Sequence, residues 1–184
     1  MNKLEADIRE MSDKAFKDHV ITERMRSGVF RQWRCQKPGS WMYGFYITTI
    51  PGSLIITGDL GCLVVSGHYD MLPWCRGSID STDYFASKVE REIATHDFAP
   101  DILTDWIKEE LKNDNISADN RELLEDALDM GVDSDGPDYW YRHFEDVWQG
   151  CDPPNWNDFK PGFLWLRDAI RWFVTNHSET EVTQ

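Results

Sequence analysis

Turn residues punctuate the chain at short, regular intervals between positions 29 and 67, and no other feature limits the fold as strongly. Lys37-Pro38-Gly39-Ser40, Pro51-Gly52 and Gly58-Asp59-Leu60-Gly61 separate four segments, 30–35, 41–50, 54–57 and 62–66, each rich in aromatic and β-branched residues. Proline presets φ for a turn and glycine accepts φ > 0, so these clusters reverse the chain by a physical mechanism and not merely by being polar. Short segments with a turn every roughly eight to twelve residues predict an antiparallel meander of three or four strands over 29–67.

Helical periodicity flanks that region. Leu4, Ile8 and Met11, then Phe16, Val20 and Met25, recur at helical spacing, which predicts N-terminal helices over 3–27, the second starting at Ser12-Asp13 and stopping at Gly28. Beyond the meander the pattern predicts helices over 84–93 (capped by Ser81-Thr82-Asp83), 100–112, 118–130, 139–148 and 163–174. The stretch 150–162, with three prolines, reads as a loop, and 177–184 as a frayed end. The class is therefore α+β: a small antiparallel meander packed with N-terminal and several C-terminal helices. No internal repeat or low-complexity linker interrupts the chain, so the expectation is one domain over 1–184, with an acidic helical part over 80–176.

Charge is distributed unevenly. Positions 1–96 hold 12 acidic and 12 basic residues, and 159–184 hold three of each. The stretch 97–158 holds 18 acidic residues against Lys108, Lys112, Arg121 and Arg142, which accounts for the whole net charge of −14. Such a charge governs solubility and partners; direct binding to nucleic acid or to an anionic membrane is disfavoured. Asp101, Asp105, Glu109 and Glu110 sit on one predicted helix. Glu122, Glu125, Asp126 and Asp129 sit on the next, and Asp133, Asp135 and Asp138 follow. Like charges at i, i+4 weaken an isolated helix slightly. One account of them is a solvated face. The other is a negative surface that offers a nucleic-acid-binding protein a substitute for phosphates, with those eight helical carboxylates as the contact residues.

Chemistry-bearing patterns are sparse. Cys35, Cys62, Cys75 and Cys151 form no CxxC pair, so neither a zinc site nor a cofactor is expected. Aligning Gly136 with the glycine of a calcium loop puts Gly131 and Arg142 where carboxylates are required, which excludes an EF-hand. No phosphate-cradling glycine motif occurs. His68 and Asp70 would share one side of an extended segment, yet no nucleophile stands at a defined spacing, so the chain does not read as an enzyme. Met1 to Met11 alternates charges where a signal peptide would be apolar, so a cytoplasmic location with reduced thiols is expected. A second binding reading rests on the meander: Arg34, Trp41, Tyr43, Tyr46 and Arg76 would line a pocket sequestering a nucleotide-derived signal, rings stacking on the base and guanidinium groups meeting phosphate.

One stretch resembles a known group. Arg34-Cys35-Gln36-Lys37-Pro38-Gly39-Ser40 and Thr49-Ile50-Pro51-Gly52-Ser53-Leu54-Ile55-Ile56-Thr57-Gly58-Asp59-Leu60-Gly61, with Asp70-Met71-Leu72-Pro73-Trp74-Cys75-Arg76-Gly77 and Asp83-Tyr84-Phe85-Ala86 after them, are similar to proteins encoded by bacteriophages and prophages. The likeness covers about residues 30–90 and leaves the acidic helices outside. It implies no activity and assigns no functional residue. What it implies is a bacterial host, and with the acidic helices an anti-CRISPR or anti-restriction inhibitor acting on a host nucleic-acid-handling defence protein.

Overall fold

The computed structural model describes residues 3–90, 93–132, 136–147 and 155–177. The chain divides into two compact units, Met1–Thr95 with Phe159–Gln184, and His96–Asp158. Each is described by itself.

Unit 1 begins with α1 (Lys3–Phe16) and continues through five strands: β1 (Val20–Ser27), β2 (Phe30–Gln36), β3 (Phe45–Ile50), β4 (Ser53–Gly58) and β5 (Gly61–Ser66). They form one antiparallel sheet in sequence order. The meander is thus one strand longer than three or four. The extra strand is β1, whose residues the helical spacing of Val20 and Met25 had assigned to a second helix. A single helix ends at Phe16, and Ser12 lies inside it. Gly28 is not a helix stop but, at φ 60, a central residue of the β1–β2 hairpin.

Alternation along the strands decides which face is buried. Trp33, Cys35, Phe45, Ile47, Leu54, Ile56, Leu63 and Val65 are fully buried on one face, while Gln32, Arg34, Tyr46, Thr48, Ile55 and Val64 between them are half-buried. That is the pattern of an antiparallel sheet covered on one side. Its cover is α7 (Pro161–Asn176), which contributes Phe163, Leu164, Leu166, Ala169, Ile170, Phe173 and Val174 to the same core. α1 and α2 (Met71–Ser78) pack against α7.

The helix predicted over 84–93 shortens to α3 (Thr82–Ala86), because the chain after it joins the sheet. Val89 bridges Val65, the Ser66 N–H donates to the Lys88 carbonyl at 2.9 Å, and the Glu90 N–H to that of Val64 at 3.0 Å. This covers the β5 edge. The β1 edge carries a bulge between Glu23 and Met25 and charged side chains, both devices that discourage pairing with another strand.

Unit 2 holds β6 (His96–Phe98), α4 (Pro100–Glu110), α5 (Ala118–Met130), α6 (Pro137–His143) and most of β7 (Asn157–Phe159), which pairs with β6. Leu103, Ile107, Leu124, Ala127, Val132, Trp140, Phe144 and Trp156 make its own core. The helix predicted over 139–148 runs from Pro137 to His143, and the loop predicted over 150–162 contains β7 and the first residues of α7 in its described part. Asp133, Asp135, Trp148, Cys151 and positions 178–184 lie outside the described residues. No helix among the described residues is long and apolar enough to cross a membrane.

Candidate functional site

Both acidic helices are built by strong local signals. α4 starts with Pro100 in its first turn, where a missing N–H costs nothing. At α5 the Ser117 hydroxyl accepts the Asn120 N–H at 3.1 Å, and Gly131, at φ 82, follows the last turn. Leu103 and Ile107 of α4, and Leu124 and Ala127 of α5, point into the core. Helical geometry then sends the residues between them outward: Asp101, Asp105, Glu109, Glu122, Glu125, Asp126 and Asp129 are exposed, and Glu110 is half-buried.

The basic residues of unit 2 do little to neutralise this surface. Arg121 donates to the carbonyls of Leu111 at 2.9 Å and Asn113 at 3.3 Å, a cation spent on the negative end of α4. Arg142 donates to the Asp138 carbonyl at 3.0 Å. Lys108 lies 3.8 Å from Asp105 and Lys112 2.6 Å from Glu109, both exposed pairs worth about 1 kcal/mol or less. Asp101, Glu122, Glu125, Asp126 and Asp129 have no cation at ion-pairing distance among the described residues. The chain matches no family model, no curated protein and no solved structure. Function has to be argued from these residues themselves.

The five residues proposed to line a pocket on the sheet separate into three places. Arg34 lies over the Trp41 ring at 5.3 Å, and Trp41 packs against Tyr46 at 5.4 Å, so these three meet, though each engages another of the three. Tyr43 instead stacks flat on Trp165 of α7, 5.5 Å away with 10° between the rings. Arg76 donates to the carbonyl of His177 at 3.1 Å, at the far end of α7. His68 and Asp70 do not work together either. Asp70 accepts from Arg31 and from the Leu72 N–H at 3.2 Å as the N-cap of α2, whereas the His68 ring stacks on Trp74. Cys35 and Cys75 are buried, which raises both thiols, Cys75 to about 12, so neither is a ready nucleophile. Among the described residues, no group of three or more His, Cys, Asp or Glu is arranged to hold a metal ion.

Two polar constellations in unit 1 escaped the sequence reading. Arg167 and Asp168 are buried in α7. The Arg167 guanidinium bonds Asp168 Oδ1 at 2.9 Å, Glu5 at 3.0 Å and the Thr82 hydroxyl, and Ser12 donates to Asp168 Oδ2 at 3.1 Å. The other surrounds His19, which is packed among Phe16, Phe45 and Trp172. Its Nε2–H donates to the Tyr43 carbonyl at 3.1 Å, and Nδ1 has no hydrogen-bond partner among the described residues. Tyr43 itself is at φ 56, rare for a bulky residue, at a cost of about 1–3 kcal/mol. Two hydrogen bonds hold it there: its N–H donates to Asp59 at 2.8 Å, and its carbonyl accepts from His19. Nothing in the sequence spacing marks His19, which lies three residues beyond the end of α1.

Burial holds the His19 pKa below the ordinary histidine value, overriding the opposing effects of the Tyr43 carbonyl and Asp18. The unfolded chain takes up a proton here as pH falls through about 6.5, while the folded chain resists. The unfolded state therefore binds more protons, and stability falls with pH below about 6.5 until the folded-state pKa is passed. Urea midpoints at pH 7.5 and 5.5 are expected to differ more for the natural protein than for His19→Gln, which carries no titrating ring. Equal differences would show that His19 charges as readily in the fold as in the open chain.

Proposed function

We propose that this is a phage-derived acidic binding protein that inhibits a host nucleic-acid-handling defence protein, of the CRISPR-effector or restriction class, by presenting α4 and α5 to its basic channel. It acts by occupancy and not by catalysis, in the cytoplasm of a bacterial host. The observation that carries this reading is the charge row on α5. Glu122 and Asp129 are seven residues apart, about 10.5 Å along the helix at 1.5 Å per residue. Four exposed carboxylates, Glu122, Glu125, Asp126 and Asp129, fall within that length. Their mean axial interval is about 3.5 Å, so their linear charge density is close to that of one DNA strand, which carries one phosphate per about 3.4 Å of duplex axis. On α4, Asp101, Asp105 and Glu109 add charges at about 6 Å intervals. Arginines and lysines lining a phosphate-binding channel would meet a comparable density of negative charge on this surface.

The reading is tested by capturing partners of the tagged protein from bacterial lysate at 0.1 M and 1 M salt, between which the screening length shrinks from about 10 Å to about 3 Å. The expected result is a nucleic-acid-handling protein held at low salt, released about tenfold or more at high salt, and displaced by its own DNA or RNA. Exchanging Asp101, Asp105, Glu109, Glu110, Glu122, Glu125, Asp126 and Asp129 for their amides abolishes that capture. Undiminished capture by the amide variant would overturn the proposal.

A further inference from the structure

A cleft of about 390 Å3 opens in unit 1 beside the last turn of α1, lined by Lys14, Lys17, His19 and Asp18 from that end and by Lys37, Ser40, Met42 and Tyr43 from the β2–β3 loop. Its size is within the range of small-molecule sites, roughly 300–1,000 Å3. In a chain of net charge −14, the three ammonium groups at this cleft outnumber the carboxylates of Asp18 and Glu10 paired with them and make it locally positive. Lys37 is paired with Asp18 at 3.0 Å and Lys14 with Glu10 at 2.5 Å, both in exposed geometry, so an anion exchanges for either carboxylate at little cost. Lys17 has no carboxylate at ion-pairing distance among the described residues.

The rest of the lining differs in kind. Met42 and Tyr43 are exposed apolar side chains. The Tyr43 ring is fixed on Trp165, and its backbone is held at positive φ by bonds to Asp59 and His19. Strain of this sort persists only where surrounding contacts impose it, and it is concentrated at ligand clamps. His19, nine-tenths buried, has an Nδ1 with no hydrogen-bond partner among the described residues. Preplaced rings with mobile ammonium groups at one side match a ligand with an aromatic face and a phosphate.

We propose that this cleft binds a nucleoside monophosphate, its phosphate among Lys14, Lys17 and Lys37 and its base against Tyr43 and Met42. The site is separate from the acidic helices of unit 2, and binding there does not depend on the function proposed for them.

Calorimetric titration of the full chain with AMP and GMP tests this, with adenosine and inorganic phosphate as controls. Saturable binding of a nucleotide is expected, with each control about tenfold or more weaker because it makes only part of the contacts. Lys17→Glu weakens nucleotide binding about tenfold by reversing a charge at the phosphate. Tyr43→Gly does the same by removing the ring, and since glycine is at ease at this φ the far-ultraviolet circular dichroism stays unchanged. The variant carrying amides at the eight acidic positions of α4 and α5 binds the nucleotide as the natural chain does, so loss of partner capture and loss of this site are told apart. No binding of either nucleotide at millimolar concentration overturns the proposal. So does inorganic phosphate binding as tightly as AMP, which would make the cleft a plain anion site, and so does an unaltered Lys17→Glu variant.

Discussion

Replacing Arg167 by methionine is expected to cost about 3–5 kcal/mol of unfolding free energy, the largest effect of any single substitution discussed. The side chain is 1% exposed and stands between two carboxylates that are themselves buried, Glu5 at 6% and Asp168 at 0%. Methionine matches its length but takes the guanidinium away from Glu5, whose bond to the Thr82 hydroxyl remains. Asp168 keeps the Ser12 hydroxyl and Arg171, whose Nε is 3.6 Å away. A buried carboxylate that loses its nearest cation keeps a desolvation cost which its remaining partners offset only in part, and this destabilises the fold. Set against a typical total of about 5–15 kcal/mol, the loss would lower the melting temperature by about 10 °C or more.

The comparison that isolates the charge is the triple variant Arg167→Met, Glu5→Leu, Asp168→Leu. Apolar groups need no partner, so the triple variant is expected to recover part of what the single one loses, less the strain of seating leucine in the smaller space of Asp168. Denaturant unfolding of both, followed by tryptophan fluorescence, gives the two numbers. A single variant within about 1 kcal/mol of the natural protein would mean that water reaches Glu5 and Asp168, and that the cluster is not a closed interior network.

That network also shows which parts of the fold were legible in the sequence. Turn chemistry at Pro51-Gly52 and Gly58-Asp59-Leu60-Gly61 acts within a few residues, so the meander was readable wherever such turns bound it; Gly52 is indeed at φ 87. The ends of α5 were readable for the same reason, since Ser117 and Gly131 act on their own neighbours. β1 was misassigned because it carries little of the alternation that marks a half-buried strand. Seven of its eight residues are exposed and only Ile21 is partly covered, while Glu, Arg and Met favour helix in isolation. Pairing with β2 decides the matter, and pairing is not local. α2 was missed because it contains Pro73 and Gly77, yet Pro73 falls in its first turn, where proline is tolerated.

The candidate site residues divide along the same line. The exposed carboxylates of α4 and α5 were found because amphipathic spacing predicts the outward face directly. Arg34 and Tyr46 face each other across β2 and β3, and the loop between those strands lays Trp41 against both, but Tyr43 and Arg76 do not join them. The loop 37–44 turns Tyr43 towards α7, and α2 carries Arg76 elsewhere. Glu5, Ser12, Thr82, Arg167 and Asp168 come from three helices, with Glu5 and Arg167 162 positions apart. No spacing rule connects them; only the packing of α1 against α7 does.

Excising 96–158 and joining Thr95 to Phe159 through a short glycine-serine link is expected to leave unit 1 folded and to abolish partner capture. The Lys160 N–H donates to the Thr95 carbonyl at 2.8 Å, so the two ends to be joined are already neighbours. Closing so short a gap adds little loop entropy. Among the described residues, the core of unit 1 draws only on residues outside the excised stretch, and the core of unit 2 only on residues within it. What leaves with the segment is the entire net charge of −14, since 15 acidic and 15 basic residues remain. The shortened chain is expected to unfold cooperatively, with a fully buried Trp33 still reporting on the sheet, while retention of the natural protein's partner at low salt falls to background. AMP titration separates the two surfaces once more, because the cleft beside α1 is untouched. A shortened chain that folds and still captures the partner would place the binding surface on unit 1 and remove α4 and α5 from the function. One that cannot fold would show that the inserted segment supports a core to which it contributes no side chain, contrary to the division of contacts on which this prediction rests.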